Sequence, residues 1–258
     1  MILEWSNIVK VLSIGLGIFI LTCSAGAEVF LETFDDRDII KQWQELKILN
    51  FGIPGAVHSW KIVGGQLQSK IIGEERMTRL FVIGDEAWQD YDIELDVKPL
   101  RKHGPAHIVI ASRIHQDKKG QTWGVLSTIG DTPIPEPESL ARCFGGRLLV
   151  GDIFLRYKTK PYRSLSVKNW SHLKLSVHGK RLTFWINGKQ VLGPVILEPK
   201  NFGHGVEFPD YAKGKVGFGV SNYSALFDNL RITTGDDIPK SVTPRTKLAT
   251  TWGNLKQF

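Results

Sequence analysis

The chain is poor in sulfur: its 258 residues include two cysteines and two methionines. Cys23 falls within an N-terminal apolar stretch, so Cys143 stands alone in the remainder and an internal disulfide framework is excluded. With no base beside it in sequence, Cys143 reads as a small buried apolar residue. No Cys/His cluster with metal spacing, no phosphate-binding glycine loop and no Ser/His/Asp order is present. His103, His107 and His115 do not supply a zinc site, because a turn at Asp117 to Gly120 interrupts the strand that would align them. The longest apolar run, Val11 to Leu21, is too short for a comfortable transmembrane helix.

That run reads as the core of a secretory signal. Lys10 precedes it and Ala25-Gly26-Ala27 forms a small-x-small cleavage site, so residues 1–27 are expected to be a signal helix. Thr22 is larger than the residue that lipoprotein signals place before their cysteine, which disfavours anchoring at Cys23. The mature chain is expected in the periplasm, at the cell surface or outside the cell, without a stable membrane span. The net charge of +7 fits acidic polysaccharide, anionic head groups or nucleic acid. Nucleic acid is disfavoured because no reader motif accompanies the charge. The cations cluster in Arg156-Tyr157-Lys158-Thr159-Lys160-Pro161-Tyr162-Arg163. That segment reads as a solvated loop, with a patch for sulfated or uronic sugars as its functional alternative.

What the sequence has in quantity is alternation at a period of two. His172 to Val177 and Leu182 to Ile186 pair across Gly179, and Asn187-Gly188 specifies a type I′ turn into a third strand. Gly214 to Val220 and Ala225 to Ile232 repeat the pattern, as do Glu28 to Thr33, Val57 to Ile62, Gln66 to Ile71 and Thr78 to Ile83. In Tyr91 to Val97 the apolar residues face one way; Asp92, Glu94 and Asp96 face water. Ala106 to Ile114 places His107, Val109, Ala111 and Arg113 in one row and Ile108, Ile110, Ser112 and Ile114 in the other. Thr128 to Arg147, with Pro133, Pro135 and Pro137, reads as a long irregular segment. Asp38 to Gln44 reads as a short capped helix, and residues 234–258 as a linker-like tail carrying Trp252.

The order of these pieces resembles a known superfamily. Thr33-Phe34-Asp35-Asp36, Trp60 to Leu67, Tyr91 to Val97, Gly214 to Phe218 and Phe227-Asp228-Asn229-Leu230-Arg231-Ile232 look like a concanavalin A-like jelly roll. The nearest patterns are laminin G-like domains and bacterial 3-keto-disaccharide hydrolase domains. The resemblance spans residues 28–233 and implies an all-β sandwich of two antiparallel sheets. It also implies an Arg on the concave face, here Arg113, with Trp123 beside it; a guanidinium can grip vicinal hydroxyls and an indole can stack on a pyranose. Trp185, out of phase with Phe184 and Ile186, is a third candidate. A structural calcium held by Asp35 or Asp36 with Asp228 is implied by the same relatives, the alternative being a capped acidic turn.

A glycosidase of the Glu-x-Asp-x-x-Glu type is disfavoured, because Glu94 and Asp96 are followed by Pro99 where the second Glu is required. The reading is therefore an exported, non-catalytic, lectin-like module for an oligosaccharide or polysaccharide. An enzyme acting on a 3-keto-disaccharide is the alternative, with His107 and Glu207 as the available acid/base groups. A cell-surface module that binds protein through an apolar patch is a third reading.

Overall fold

Alternating apolar residues build fifteen strands in the computed structural model, which describes residues 29–49, 57–73, 77–131, 139–150, 154–199, 201–203 and 206–235. The expected signal helix, Cys23, the three clustered prolines, His204 and Trp252 lie outside the described residues. The strands are β1 Val29–Glu32, β2 Gln44–Leu49, β3 Val57–Val63, β4 Gln66–Ile72, β5 Met77–Ile83 and β6 Tyr91–Gln116. After them come β7 Thr122–Asp131, β8 Ser139–Arg147, β9 Phe154–Pro161, β10 Ser171–His178, β11 Arg181–Ile186 and β12 Lys189–Ile196. A short pair, β13 Asn201–Gly203 and β14 Val206–Glu207, precedes the last strand, β15 Lys215–Thr234. One 3-10 turn, Ile39–Gln42, replaces the longer helix expected from Asp38 to Gln44. Among the described residues no helix is long and apolar enough to cross a membrane.

Two strands organise the rest. β6 and β15 run antiparallel over most of their length and each passes through both layers of a sandwich. The first sheet has the order β12-β11-β10-β6-β15-β4-β3, with β1 also on β15, and uses residues 91–97 of β6. The second has the order β9-β8-β7-β6-β15-β5-β2 and uses residues 107–116 of β6. Between the layers lies the main core, with Tyr91, Ile93, Leu95, Leu173, Leu175, Phe184 and Phe227 from the first sheet. Phe81, Ile108, Ile110, Trp123, Val125, Cys143 and Phe218 meet them from the second.

The outer faces of the two sheets differ in kind. On the first sheet the outward row is charged and paired: Lys174 bridges Asp92 at 2.7 Å and Glu94 at 2.9 Å, and His172 lies 2.9 Å from Asp96. On the second, the outward row buries Leu46, Ile48, Leu80, Val82, Val109, Ala111, Ile114 and Leu126 as a second apolar cluster. Leu148 closes part of it, its N–H donating to the Thr122 carbonyl at 2.8 Å and its side chain lying over Gly124.

Three expectations are corrected by these strands. Residues 128–131 and 139–147, expected to be irregular, belong to β7 and β8. The cationic segment from Arg156 to Pro161 is strand β9, not a loop; Arg, Lys and Tyr are tolerated there because β9 is an edge. The row containing His107, Val109 and Ala111 does not continue to Arg113. Arg113 has φ +56° and the ladder to β7 shifts register between Ser112 and His115. The bulge turns Arg113 off the outer face, and Ile114 takes its place beside Val109 and Ala111.

Candidate functional site: the outer face of the second sheet

The four binding residues expected from sequence do not converge. Arg113 is 0% exposed and its guanidinium serves the chain itself. Nη2 donates to the Gly179 carbonyl at 2.8 Å, and Nη1 donates to the Ala212 carbonyl and, at 3.5 Å, to that of Trp88. Its backbone N–H donates to the Tyr91 hydroxyl at 2.8 Å, and its guanidinium carbon sits 5.4 Å from the Tyr91 ring centroid. Arg113 thus ties three turns to the end of the sandwich and presents no guanidinium to solvent. Trp123 is 4% exposed, donates its indole N–H to Asp117 at 3.0 Å and packs edge-on against Phe208. Trp185 is half-buried on the outer face of the first sheet, opposite Lys174 and Gln190.

His107 does lie on the outer face of the second sheet. It is 9% exposed, with Nε2 3.1 Å from the Thr78 hydroxyl. Burial, reinforced by the cation of Arg142, lowers its pKa to about 3, so the ring is neutral at neutral pH. Gly130 faces it across the ladder at φ +145°, where a Cβ would come within 2.6 Å of the His107 Cα. Only glycine fits there.

Beside His107 the strand register aligns a polar row. Val109, Thr128, Arg142 and Thr159 are direct partners across β6, β7, β8 and β9, and direct partners share a face. The next row on the same face is Ala111, Leu126, Phe144 and Arg156. Three side-chain atoms of the polar row, Thr128 Oγ1, Arg142 Nε and Thr159 Oγ1, are shut off from water and have no hydrogen-bond partner. Arg142 donates through Nη2 to the Asp131 carbonyl at 3.2 Å; its pKa is lowered by burial first and by nearby Arg156 second. The two rows together grade from sealed to open: Thr128 is buried, Arg142 and Thr159 are half-buried, and Arg156 is exposed. The face is thus most open at the β9 edge. Sequence alone does not single out Thr128, Arg142 or Thr159, because partnership across strands depends on register and the nearby prolines disguise β8 as a loop.

The carboxylate of Asp131, at the end of β7, accepts from Ser139 at 3.0 Å and Ser164 at 2.8 Å and pairs with Lys102. These donors hold its pKa below the usual value against the opposing effect of burial. Glu207 lies on the β13–β14 pair, away from the row. A Ser69–His58–Glu45 alignment also exists, with His58 Nε2 2.9 Å from Ser69 Oγ and Nδ1 4.0 Å from Glu45. It is not a catalytic triad: Ser69 is fully buried and bonded to the Tyr223 carbonyl, and burial with Arg79 lowers the His58 pKa to about 3.

The acids expected to hold calcium are each engaged locally. Asp35 accepts from the Thr33 hydroxyl at 2.7 Å and Asp36 from the Asp38 N–H at 2.9 Å. Asp228 accepts from Gln66 and from the Asn229 N–H. Among the described residues no three His, Cys, Asp or Glu side chains gather as a metal site.

Known proteins share this architecture. A family model described as the 3-keto-alpha-glucoside-1,2-lyase-like domain matches residues 30–233. Among curated proteins no sequence relative is found. A Bacillus subtilis protein of unknown function with a galectin-like fold superposes with a TM-score of 0.58 at 12% identity, covering 81% of this chain and 98% of its own. The GlcNAcα1-4Gal-releasing endo-β-galactosidase of Clostridium perfringens gives 0.52 at 12% identity, covering 84% of this chain and 65% of its own. These likenesses show the fold, a galectin-like jelly-roll β-sandwich. The family match spans most of the chain, which belongs to the 3-keto-alpha-glucoside-1,2-lyase-like family.

Proposed function

We propose that the chain is a carbohydrate-recognition domain that binds its sugar on the outer face of the second sheet, from the β9 edge. The observation that carries this reading is the row of unpartnered, water-shielded polar atoms on Thr128, Arg142 and Thr159 beside an apolar floor. An unmade buried hydrogen bond costs about 1–3 kcal/mol, so a row of such groups calls for a partner, and a sugar hydroxyl entering from the β9 edge supplies one. Two hydroxyls and a guanidinium on neighbouring strands have the polarity to meet sugar hydroxyls, while half-buried Phe144 suits the C–H face of a ring. Family membership supports a glycoside as the ligand class. The apolar run at residues 11–21 supports a site of action outside the cytoplasm.

Replacing either threonine by valine keeps the shape and removes the hydroxyl. Glycoside titrations of Thr128→Val and Thr159→Val are expected to show affinity reduced roughly tenfold with no loss of thermal stability. Unchanged affinity in both variants overturns the assignment.

The family name favours a second reading, elimination on a 3-keto-α-glucoside. That reaction takes the proton from C2, next to the C3 ketone, and expels the C1 substituent. On this face His107 is the group able to accept a proton and Arg142 the group able to hold the enolate oxygen. A pKa near 3 makes His107 a feeble base, so binding is the stronger reading. Release of the C1 substituent from a 3-keto-α-glucoside, abolished in His107→Gln, would instead establish the lyase.

A further inference from the structure

Strand β9 carries Arg156, Lys158 and Lys160, and it pairs on one side only, with β8. A register shift between Cys143 and Phe144 divides its cations between two faces. Arg156 lies opposite Phe144 and so joins Arg142 on the outer face; Lys158 and Lys160 lie opposite Cys143 and Ala141, which point toward the core. Lys158 and Lys160, with Thr159 between them, line one wall of a cleft of about 430 Å³. The other wall is Gln190, Val191, Leu192 and Gly193 of β12, the free edge of the first sheet.

Some cations elsewhere have a counter-ion beside them: Lys174 has Asp92 and Glu94, Arg79 has Glu45, and Lys102 has Asp131. The ion pairs among the described residues include none with Arg142, Arg156, Lys158 or Lys160. Lysine on an edge strand also serves to block sheet-to-sheet pairing. That role accounts for Lys158 and Lys160 but not for Arg142, which is half-buried on an interior strand with a second guanidinium close by. Asp131 acts on Arg142 as an anion, but its carboxylate is already paired with Lys102; two like charges brought together are relieved further by an anion that accepts from both.

We infer that the glycan recognised is anionic, a uronate- or sulfate-bearing polysaccharide, with an acidic group held between Arg142 and Arg156 and the chain tracking over β9 toward Lys158 and Lys160. This inference rests on the outer face being a sugar site. It adds the charge class of the ligand and a second wall of contact.

The test is calorimetric titration of the full chain with four probes: an oligogalacturonate, a sulfated heparin oligosaccharide, a neutral maltooligosaccharide of equal length, and a single-stranded oligonucleotide of equal charge. The acidic sugars are expected to bind at least about tenfold tighter than the neutral one, with affinity falling as salt rises. Arg156 is exposed, so R156Q leaves the fold intact; it is expected to remove most of that preference, and K158Q/K160Q a smaller part. Neutral sugar bound as tightly as acidic, with R156Q silent, overturns the anion inference and leaves the sugar site standing. No binding of any sugar overturns both. An oligonucleotide bound tighter than either acidic sugar, and weakened by R156Q, replaces the glycan with nucleic acid.

Discussion

Removing Arg113 separates the two roles this residue could have. The sequence pattern makes it a sugar ligand; the structure makes it a clasp joining the turns at Trp88, Gly179 and Ala212 to β6. In Arg113→Met the side chain keeps its length and loses its donors. Charge-assisted hydrogen bonds to carbonyls contribute about 1.5–3 kcal/mol each, and at least two of the three are short enough to count. Two effects reduce the loss. Gly179 and Ala212 sit at exposed turns whose carbonyls can turn back to water, and the buried guanidinium no longer has to be desolvated. The net cost is about 2–4 kcal/mol, or roughly a 10 °C fall in Tm for a domain of this size. Thermal unfolding followed by circular dichroism measures it, and hydrogen exchange at Gly179 and Gly214 should rise while the centre of β6 stays protected. Sugar affinity measured well below the Tm should be unchanged. A Tm within about 1 °C of the parent together with lost sugar binding would refute the clasp and restore Arg113 as a ligand.

Three further outcomes concern buried histidines, the lone buried thiol and calcium. His58 and His107 have pKa values lowered to about 3 in the folded chain against 6.5 ordinarily, so the unfolded chain takes up protons first as pH falls. The stability they contribute is complete above pH 6.5 and drains between 6.5 and 3, on the order of 4 kcal/mol per residue; His107→Gln should shift the acid unfolding midpoint to lower pH, and an unmoved midpoint contradicts its buried neutral state. The Cys143 thiol is fully buried with its pKa pushed up to about 12, so it should resist iodoacetamide until the chain is unfolded; rapid labelling of native protein would place it at the surface. Millimolar calcium should leave the Tm within about 1 °C, because Asp35, Asp36 and Asp228 are each hydrogen-bonded locally; a rise of several degrees that is lost in Asp228→Asn would establish the calcium site.

Much of the fold was legible because period-two alternation and turn chemistry are local. Asn187 and Gly188 both take positive φ, as the type I′ turn requires, and Tyr91 to Val97 alternates buried with wetter residues as its sequence does. The site was less legible, for reasons that are not local. Alternation carries Arg113 to the outer face only if the strand is regular, and a single positive φ at that residue reverses the parity of the residues after it. Trp123 satisfies the aromatic pattern of the resemblance while its indole is spent on Asp117 and the core. Thr128, Arg142 and Thr159 are fourteen and seventeen residues apart in sequence and become neighbours only through the β7–β8–β9 register. The cations of β9 were visible as a cluster, but their division between two faces depends on a bulge at Tyr157 of β9 that no spacing rule announces.

The two outer faces make rival predictions, and amide chemical-shift mapping of the isotope-labelled chain during glycan titration decides between them. A sugar site on the second sheet predicts shifts that saturate together at Val109, Thr128, Arg142, Thr159 and Arg156, with Lys174, Trp185 and Gln190 unmoved. Shifts centred on Trp185 and Lys174, with the Thr128 row silent, would place the sugar on the first sheet and contradict that site.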